Sequence, residues 1–403
     1  MRLRTMMWVG IAVVGAMWPR ISPAQTIQER ITILEEKIKE RAEALPVDIN
    51  ALVATDYQYS FNRPSSHRVQ LHVFDLNAPS FMVNDAALFV SRQREDESFG
   101  FMINFDFGET SQVVNGVDNQ AIPSLREAYL TYKLPWLMAT TNKPITIKAG
   151  KFVTLLGYEV IKTWSNFNPN IANSIQFGNA IPFTHTGGLV NLPVLDQLSF
   201  DLGLVNGWDN ITDNNNGVTF LGGMGITPVD MFSMYVSGTY GPEQPNRSGA
   251  SQRGVISANA TLKATDYLTF VVDGTWGNET SVFLPASGGF GTGVWYGLAG
   301  YIIWQATDKL QLVLRPEMFD DADGVRTGAA TTDLFGLNPN EKAFKGSGTV
   351  WAITPTVAYQ LTNHILARAE YRYDRASRPY FDAENGIVRR TSNILLFEAL
   401  YAF

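Results

Sequence analysis

From about residue 50 to the end of the chain, apolar side chains recur at every second position, in runs of ten to fourteen residues separated by turn-forming sequence. A period of two belongs to a β-strand, whose successive side chains leave opposite faces. In the stretch 365–374, Ile365, Ala367, Ala369, Tyr371 and Tyr373 oppose Leu366, Arg368, Glu370, Arg372 and Asp374. In 268–276, Leu268, Phe270, Val272 and Trp276 oppose Thr269, Val271, Asp273 and Thr275. In 99–107, Phe99, Phe101, Ile103, Phe105 and Phe107 oppose Gly100, Met102, Asn104 and Asp106.

A soluble β-sandwich also alternates, with its apolar faces turned to a core. Strand length separates the two architectures. Soluble strands average about five or six residues, whereas about ten residues at 3.3 Å each, tilted near 40°, span the roughly 25 Å apolar band of an outer membrane. Aromatic residues gather at strand ends (Tyr57, Tyr59 and Phe61; Tyr371 and Tyr373; Tyr401 and Phe403), as interfacial girdles require. Connections also alternate in length. Short turns at 227–230, 264–266, 306–308 and 361–363 are built on Thr with Asp or Asn, residues that bond their own backbone in tight turns. Between them lie longer Gly-, Asn- and Asp-rich stretches at 207–217, 242–251, 277–292, 320–346 and 375–390. The longer loops therefore leave from one end.

Counting from the short turns predicts strands near 51–61, 80–93, 98–107, 124–134, 144–153, 182–192, 196–206 and 217–228. The second half adds 230–241, 252–263, 267–277, 293–305, 308–319, 347–360, 363–374 and 391–403. The segment 65–79, with the run Val69 to Phe74, has the composition for one more. The expected fold is all-β: an antiparallel transmembrane β-barrel of about 16 strands over 47–403, preceded by a short amphipathic helix.

Residues 1–24 carry Arg2 and Arg4, an apolar stretch from Met6 to Trp18 and Ser22-Pro23-Ala24, the three regions of a cleaved secretory signal peptide. Thirteen residues at about 1.5 Å each are too short to span a bilayer as a helix. Residues 25–46 place Ile27, Ile31, Leu34, Ile38 and Leu45 at heptad spacing opposite a charged face, which fits a periplasmic helix that bundles protomers or a spacer or plug. Pro46 ends it.

Composition narrows the chemistry. A net charge of −7 and a pI near 5.2 argue against nucleic acid as a partner. The absence of cysteine removes disulfides and thiolate chemistry. His67, His72, His185 and His364 have no zinc spacing and no nucleophile elbow beside them. The acidic stretches 209–217 and 320–324 lack a full calcium-ligand pattern. No catalytic residue, cofactor or metal is predicted.

The last strand places Leu395, Phe397, Ala399, Tyr401 and Phe403 on one face. It is similar to the C-terminal signal read by the bacterial barrel-assembly machinery, with Phe397, Tyr401 and Phe403 as the residues recognised. Val73-Phe74-Asp75, Gly150-Lys151-Phe152, Leu156-Gly157-Tyr158-Glu159 and Ile181 to Gly187 together resemble the β-barrel porin-2 (OmpL-like) family over roughly residues 45–403. The resemblance implies a bacterial outer-membrane channel.

A sixteen-stranded barrel is too wide for its own side chains to fill, so the polar faces are expected to line water. The candidate inward charges are Asp56, Asp106, Glu127, Lys133, Lys148, Asp201, Lys263, Asp273, Arg315, Glu317, Arg368, Glu370, Arg372, Asp374 and Glu398. Acids outnumber bases among them, a weak lean toward cations. The ladder Arg368, Glu370, Arg372, Asp374 either neutralises itself or sets a transverse field with Arg315 and Glu317. The longest connection of the first half, 154–181, is expected to fold inward as a constriction or to lie outside as a lid. As a constriction it would set Tyr158, Glu159 and Lys162 against wall bases such as Lys148.

The expected function is a porin passing small hydrophilic solutes or ions by passive diffusion. The alternative is a barrel acting as scaffold, receptor or adhesin. Outer-membrane lipid, lipopolysaccharide and the barrel-assembly machinery are the expected partners, with a homotrimer as the candidate assembly.

Overall fold

The computed structural model describes residues 47–114, 124–138, 143–245, 251–327 and 348–403. The expected signal peptide and the helix at 25–46 lie outside these residues. Sixteen strands form one closed antiparallel barrel. The first eight are β1 (Asp48–Ser60), β2 (Ser80–Arg92), β3 (Phe99–Phe107), β4 (Ser124–Met138), β5 (Pro144–Val153), β6 (Thr184–Leu195), β7 (Leu198–Val205) and β8 (Thr219–Val229). Next come β9 (Phe232–Pro242), β10 (Gln252–Thr265), β11 (Leu268–Leu284) and β12 (Gly289–Gln305). β13 (Leu310–Asp321), β14 (Gly348–Gln360) and β15 (Ile365–Ala376) follow. A small hairpin of β16 (Phe381–Asp382) and β17 (Val388–Arg389) stands apart from the wall, and β18 (Thr391–Ala402) completes it. The first and last strands zip the cylinder shut, with Asp56 opposite Glu398 and Leu52 opposite Ala402.

Burial follows the alternation, but inverted relative to a water-soluble protein. On β14, Trp351, Ile353, Val357 and Tyr359 are exposed while Val350, Ala352, Thr354, Thr356 and Ala358 are buried. Across the barrel, Phe81, Phe220, Ile256, Val272, Leu298 and Trp304 stand outward and exposed, while Arg126, Arg315 and Arg372 are among the largest fully buried side chains. Soluble monomers rarely expose apolar patches beyond a few hundred Å². A continuous apolar belt on a closed cylinder is stable where hydrocarbon covers it. None of the described helices is long and apolar enough to cross a membrane.

Two expectations change. The stretch 277–292 is not an open loop, because β11 and β12 continue past a bulge between Glu279 and Val282 and pair as far as Leu284 and Gly289. Glycine and serine hid a strand pairing there, and only residues 285–288 make the turn, with Gly288 at φ +75°. The segment 65–79 adds no strand to the barrel. A single bridge joins Arg68 to Asn77, and positive φ at His67 and Leu71 bends the chain. Val73 and Phe74 are buried with Phe177, Ile181 and Phe183, so that apolar run is core.

Candidate functional site: the lumen

The lumen is largely occupied. Every barrel strand contributes at least one buried inward side chain, from Asp56 on β1 and Asn84 on β2, through His185, Leu221 and Ser257, to Arg372 on β15 and Glu398 on β18. The filling comes from two connections that turn inside, 61–79 and 154–181. The second carries the helix α2 (Ile175–Ala180), after the short helix α1 (Glu109–Val114) beside β2–β4.

A mostly irregular segment placed inside a protein brings peptide N–H and C=O groups that must find partners. The wall supplies them. Its carboxylates accept from loop amides: Glu370 from Ile171 and Ala172 at 2.7 and 3.0 Å, Glu317 from Ile175 at 2.6 Å, and Asp273 from Tyr158 at 3.2 Å. Its guanidinium groups donate to loop carbonyls: Arg315 to Ala172 at 2.7 Å, Arg372 to Asn173 at 2.8 Å, Arg368 to Asn170 at 3.0 Å and Arg126 to Lys162 at 2.8 Å. The alternating ladder on β15 thus replaces water around the loop backbone. Ser174 caps α2 by accepting from the Phe177 amide at 3.2 Å, and Trp295 donates to the Ala180 carbonyl at 3.1 Å.

Charged side chains of the inserted segments pair with the wall. Arg315 donates to Glu159 at 2.9 Å and lies 3.3 Å from Glu317; all three side chains are buried. Tyr301 also donates to Glu159, at 2.9 Å. Lys162 donates to Glu398 at 2.5 Å and to Asn84 at 3.1 Å, and Glu398 also pairs with Arg368. Burial opposes the Lys162 ammonium, yet Glu398 and Asp56 beside it hold its pKa above the ordinary lysine value. From 61–79, His72 pairs with Asp75 at 2.5 Å and lies 3.7 Å from Asp374, which in turn binds Arg372 at 2.7 Å. Burial works against the His72 proton, but Asp75 holds the pKa above the usual histidine range.

The remaining candidate residues divide by place. Asp106 is buried and accepts from Arg126 at 2.8 Å and Ser124 at 2.7 Å. Glu127 accepts from the Val153 amide at 3.3 Å. Asp201 accepts from Asn191 at 2.9 Å and Tyr235 at 2.8 Å. Lys133 donates to the carbonyls of Arg94 and Glu95. Lys263 is exposed at the short-turn end of β10. Lys148 sits over the rings of Tyr129 at 4.5 Å and Phe152 at 5.4 Å. The expected meeting of Glu159 and Lys162 with Lys148 is absent from this arrangement: the two loop charges pair with β13 and β18, because acceptors and donors there also satisfy the neighbouring loop backbone. Phe397, Tyr401 and Phe403 are exposed on the outer face.

Arg126 with Asp85 was not singled out from the sequence, although the pair is buried at 2.7 Å. The signal was the adjacent pair Arg126-Glu127, which breaks the alternation. A shift of register between Asn104 and Phe105 turns both inward. The acidic loops serve their own backbone: Asp209 accepts from the Phe183 and Thr184 amides, and Asp321 from those of Val325, Arg326 and Thr327. Among the described residues, no three His, Asp or Glu side chains gather as metal ligands would.

Open space remains toward the short turns. A polar recess of about 340 Å³ lies between Tyr158, Phe167 and Asn168 of the loop and Gln305, Gln311 and Gln360 of the wall. Across the lumen, inward positions are small or half-exposed: Thr131, Asn191, Ser199, Gly223, Gly225 and Asn259.

Solved barrels share this architecture. An anion-selective porin from Comamonas acidovorans superposes with a TM-score of 0.58 at 9% identity, covering 89% of this chain and 99% of that one. OmpT of Vibrio cholerae lacking loop L8 gives 0.55 at 11%, with 89% and 99% covered. The outer-membrane channel DcaP of Acinetobacter baumannii gives 0.54 at 13%, with 89% and 97% covered. At such identities the likeness is one of fold. No curated protein matches the sequence. The sequence model described as Putative beta-barrel porin-2, OmpL-like, matches residues 46–403, and the chain belongs to that family of barrel porins.

Proposed function

We propose that this chain is an outer-membrane porin through which small hydrophilic solutes or ions diffuse passively, with the loop 154–181 as its constriction. The observation that carries the reading is a closed sixteen-stranded cylinder of the porin-2 family, apolar outside and polar inside. No bond is made or broken in such transport; rates follow from pore radius and lining charge. The charges bonded to the loop act as its anchors, and the residues facing the open half of the lumen meet the solute. Assembly as a homotrimer, insertion by the barrel-assembly machinery and contact with lipopolysaccharide belong to the same proposal; one of the similar solved barrels is described as a trimer form.

The density of the lumen favours the second reading, a barrel that serves as scaffold or receptor. Planar-bilayer recording of the purified full chain decides. Discrete ohmic steps that grow when 158–178 is shortened are the expected result for a porin. A folded barrel that stays silent in both forms refutes the channel and leaves the scaffold.

A further inference from the structure

Counting charges along the inner face predicts a lean toward cations, but the structure separates the charges that water reaches from those it does not. Most inward acids of the wall are buried, Asp56, Glu127, Asp201, Asp273, Glu317 and Glu398 among them, while Asp48 at the first residue of β1 is exposed. Nearly all of the buried acids accept hydrogen bonds from the loop or from neighbouring wall groups, as Glu127 and Asp201 do. The cations of the open half are different. Lys148 and Lys133 are half-buried and Lys263 is exposed, all on the inner face of β4, β5 and β10.

Of these, Lys148 is placed furthest from the short turns, two residues beyond the Lys133–Thr146 pair on β4 and β5. Tyr129 and Phe152 lie under its ammonium, an arrangement that fixes a cation without using up its N–H donors. Among the described residues no hydrogen-bond acceptor is recorded for it, whereas Lys133 is engaged by two turn carbonyls. Further along the same wall, β8 carries Gly223 in register with Asp201 of β7. A Cβ at Gly223 would meet the Tyr235 hydroxyl at 2.1 Å, so the glycine lets Tyr235 reach Asp201 and donate to it at 2.8 Å. Lys148 thus keeps part of its surface open to the lumen, and Glu127 and Asp201 near it are occupied by other donors. The acids of the short turns, Asp196, Asp230, Asp266 and Asp308, are exposed, the last at the edge of the polar recess, where salt screens them over about 8 Å.

We infer that the open half of the lumen is an anion-binding vestibule, and that Lys148 is the residue that contacts small anionic solutes such as carboxylates and sets the charge preference of the pore. The inference rests on the porin reading for its role in transport, though not for the presence of the site.

The chain has no cysteine, so a single thiol can report the local potential. Thr131 lies opposite Lys148 across β4 and β5 and is half-exposed. In the otherwise unchanged full chain, T131C should react faster with the anionic sulfonatoethyl methanethiosulfonate than with its trimethylammonium counterpart, after correction for their rates with a free thiol. Adding Lys148→Gln should lower that ratio by roughly fivefold to tenfold, the effect of one charge a side chain away in water-like surroundings. In a salt gradient the wild-type reversal potential should lie on the anion side and move to the cation side in Lys148→Glu. A ratio that favours the cationic reagent, or one unmoved by Lys148→Gln, overturns the vestibule. A barrel that conducts nothing overturns the porin reading instead, while the thiol ratio still decides the site.

Discussion

Replacing Glu159 by alanine tests whether the inserted loop is held by the wall. Its carboxylate accepts from the Ser174 amide at 2.8 Å, Asn173 Nδ2 at 2.9 Å, Tyr301 at 2.9 Å and Arg315 at 2.9 Å. Neither Glu159 nor Arg315 has exposed side-chain surface. Removing one member of a buried ion pair typically costs about 3–5 kcal/mol, since the partner charge stays desolvated. Arg315 would keep Glu317 at 3.3 Å and the Ala172 carbonyl at 2.7 Å, which places the expected cost near the lower end, about 3 kcal/mol. The barrel wall keeps its ladders, so the cost falls on docking of the loop. Its undocked population should rise by roughly a hundredfold. Lys162 is buried when the loop is docked and becomes a trypsin site when it is not. With reclosing fast relative to cleavage, the rate follows the open population. Cutting after Lys162, mapped by mass spectrometry on the folded barrel in detergent, should accelerate about a hundredfold. Glu159→Gln, which retains an acceptor but no charge, should fall between. A change below threefold in both variants, with the thermal transition of the barrel unaltered, refutes the anchoring role.

Two further outcomes follow from single contacts. At Gly277 an added Cβ would come within 2.4–2.6 Å of the Trp295 ring, which is fully buried and donates to Ala180; Gly277→Ala should lower barrel stability by about 1–3 kcal/mol, read by thermal unfolding in detergent. Burial raises the Asp209 pKa to about 6 against the pull of the Thr184 and Phe183 amides. A carboxyl raised in the folded state binds its proton more tightly there than when unfolded, so its contribution is present below the ordinary value of 3.8 and is lost as pH rises through about 6. Wild type should therefore lose stability relative to Asp209→Asn between pH 4 and 6, and parallel pH profiles would contradict this.

The barrel was legible because lipid imposes a rule on every strand. Each outward position must be apolar and one end of the barrel is closed by tight turns, so alternation and turn chemistry located most strands to within a few residues, β11 and β12 excepted. β14 was expected at 347–360 and spans Gly348–Gln360. The interior obeys no comparable period. Parity identified Arg315, Glu370 and Arg372 as inward but was silent on what faces them. Partners such as Glu159 and His72 lie in connections that take their shape from the wall. The run Val69 to Phe74 looked strand-like because a buried lumenal segment needs the same apolar residues as a strand. Arg126 escaped notice because a local shift of register, invisible in one strand alone, decides which way it points.

The kind of cation distinguishes the two halves of the lumen. Where the wall must collect several carbonyls and a carboxylate at once, it uses arginine: Arg315 serves Glu159, Ala172 and Asn173, and Arg372 serves Asp374 and Asn173. A planar fork of five donors suits that task, and a single ammonium on a flexible stem does not. Arg368 borders the open recess with its guanidinium bound to Asn170 and Glu398, whereas the inner-face cations across the lumen, Lys133, Lys148 and Lys263, are lysines, and Lys148 rests on aromatic rings. A point charge that remains hydrated can exchange its water for a passing solute, whereas a guanidinium already committed to backbone carbonyls cannot. Summing charge along the strands therefore mixes groups that hold the loop with groups that meet the solute, and the sign of the sum belongs to the scaffold.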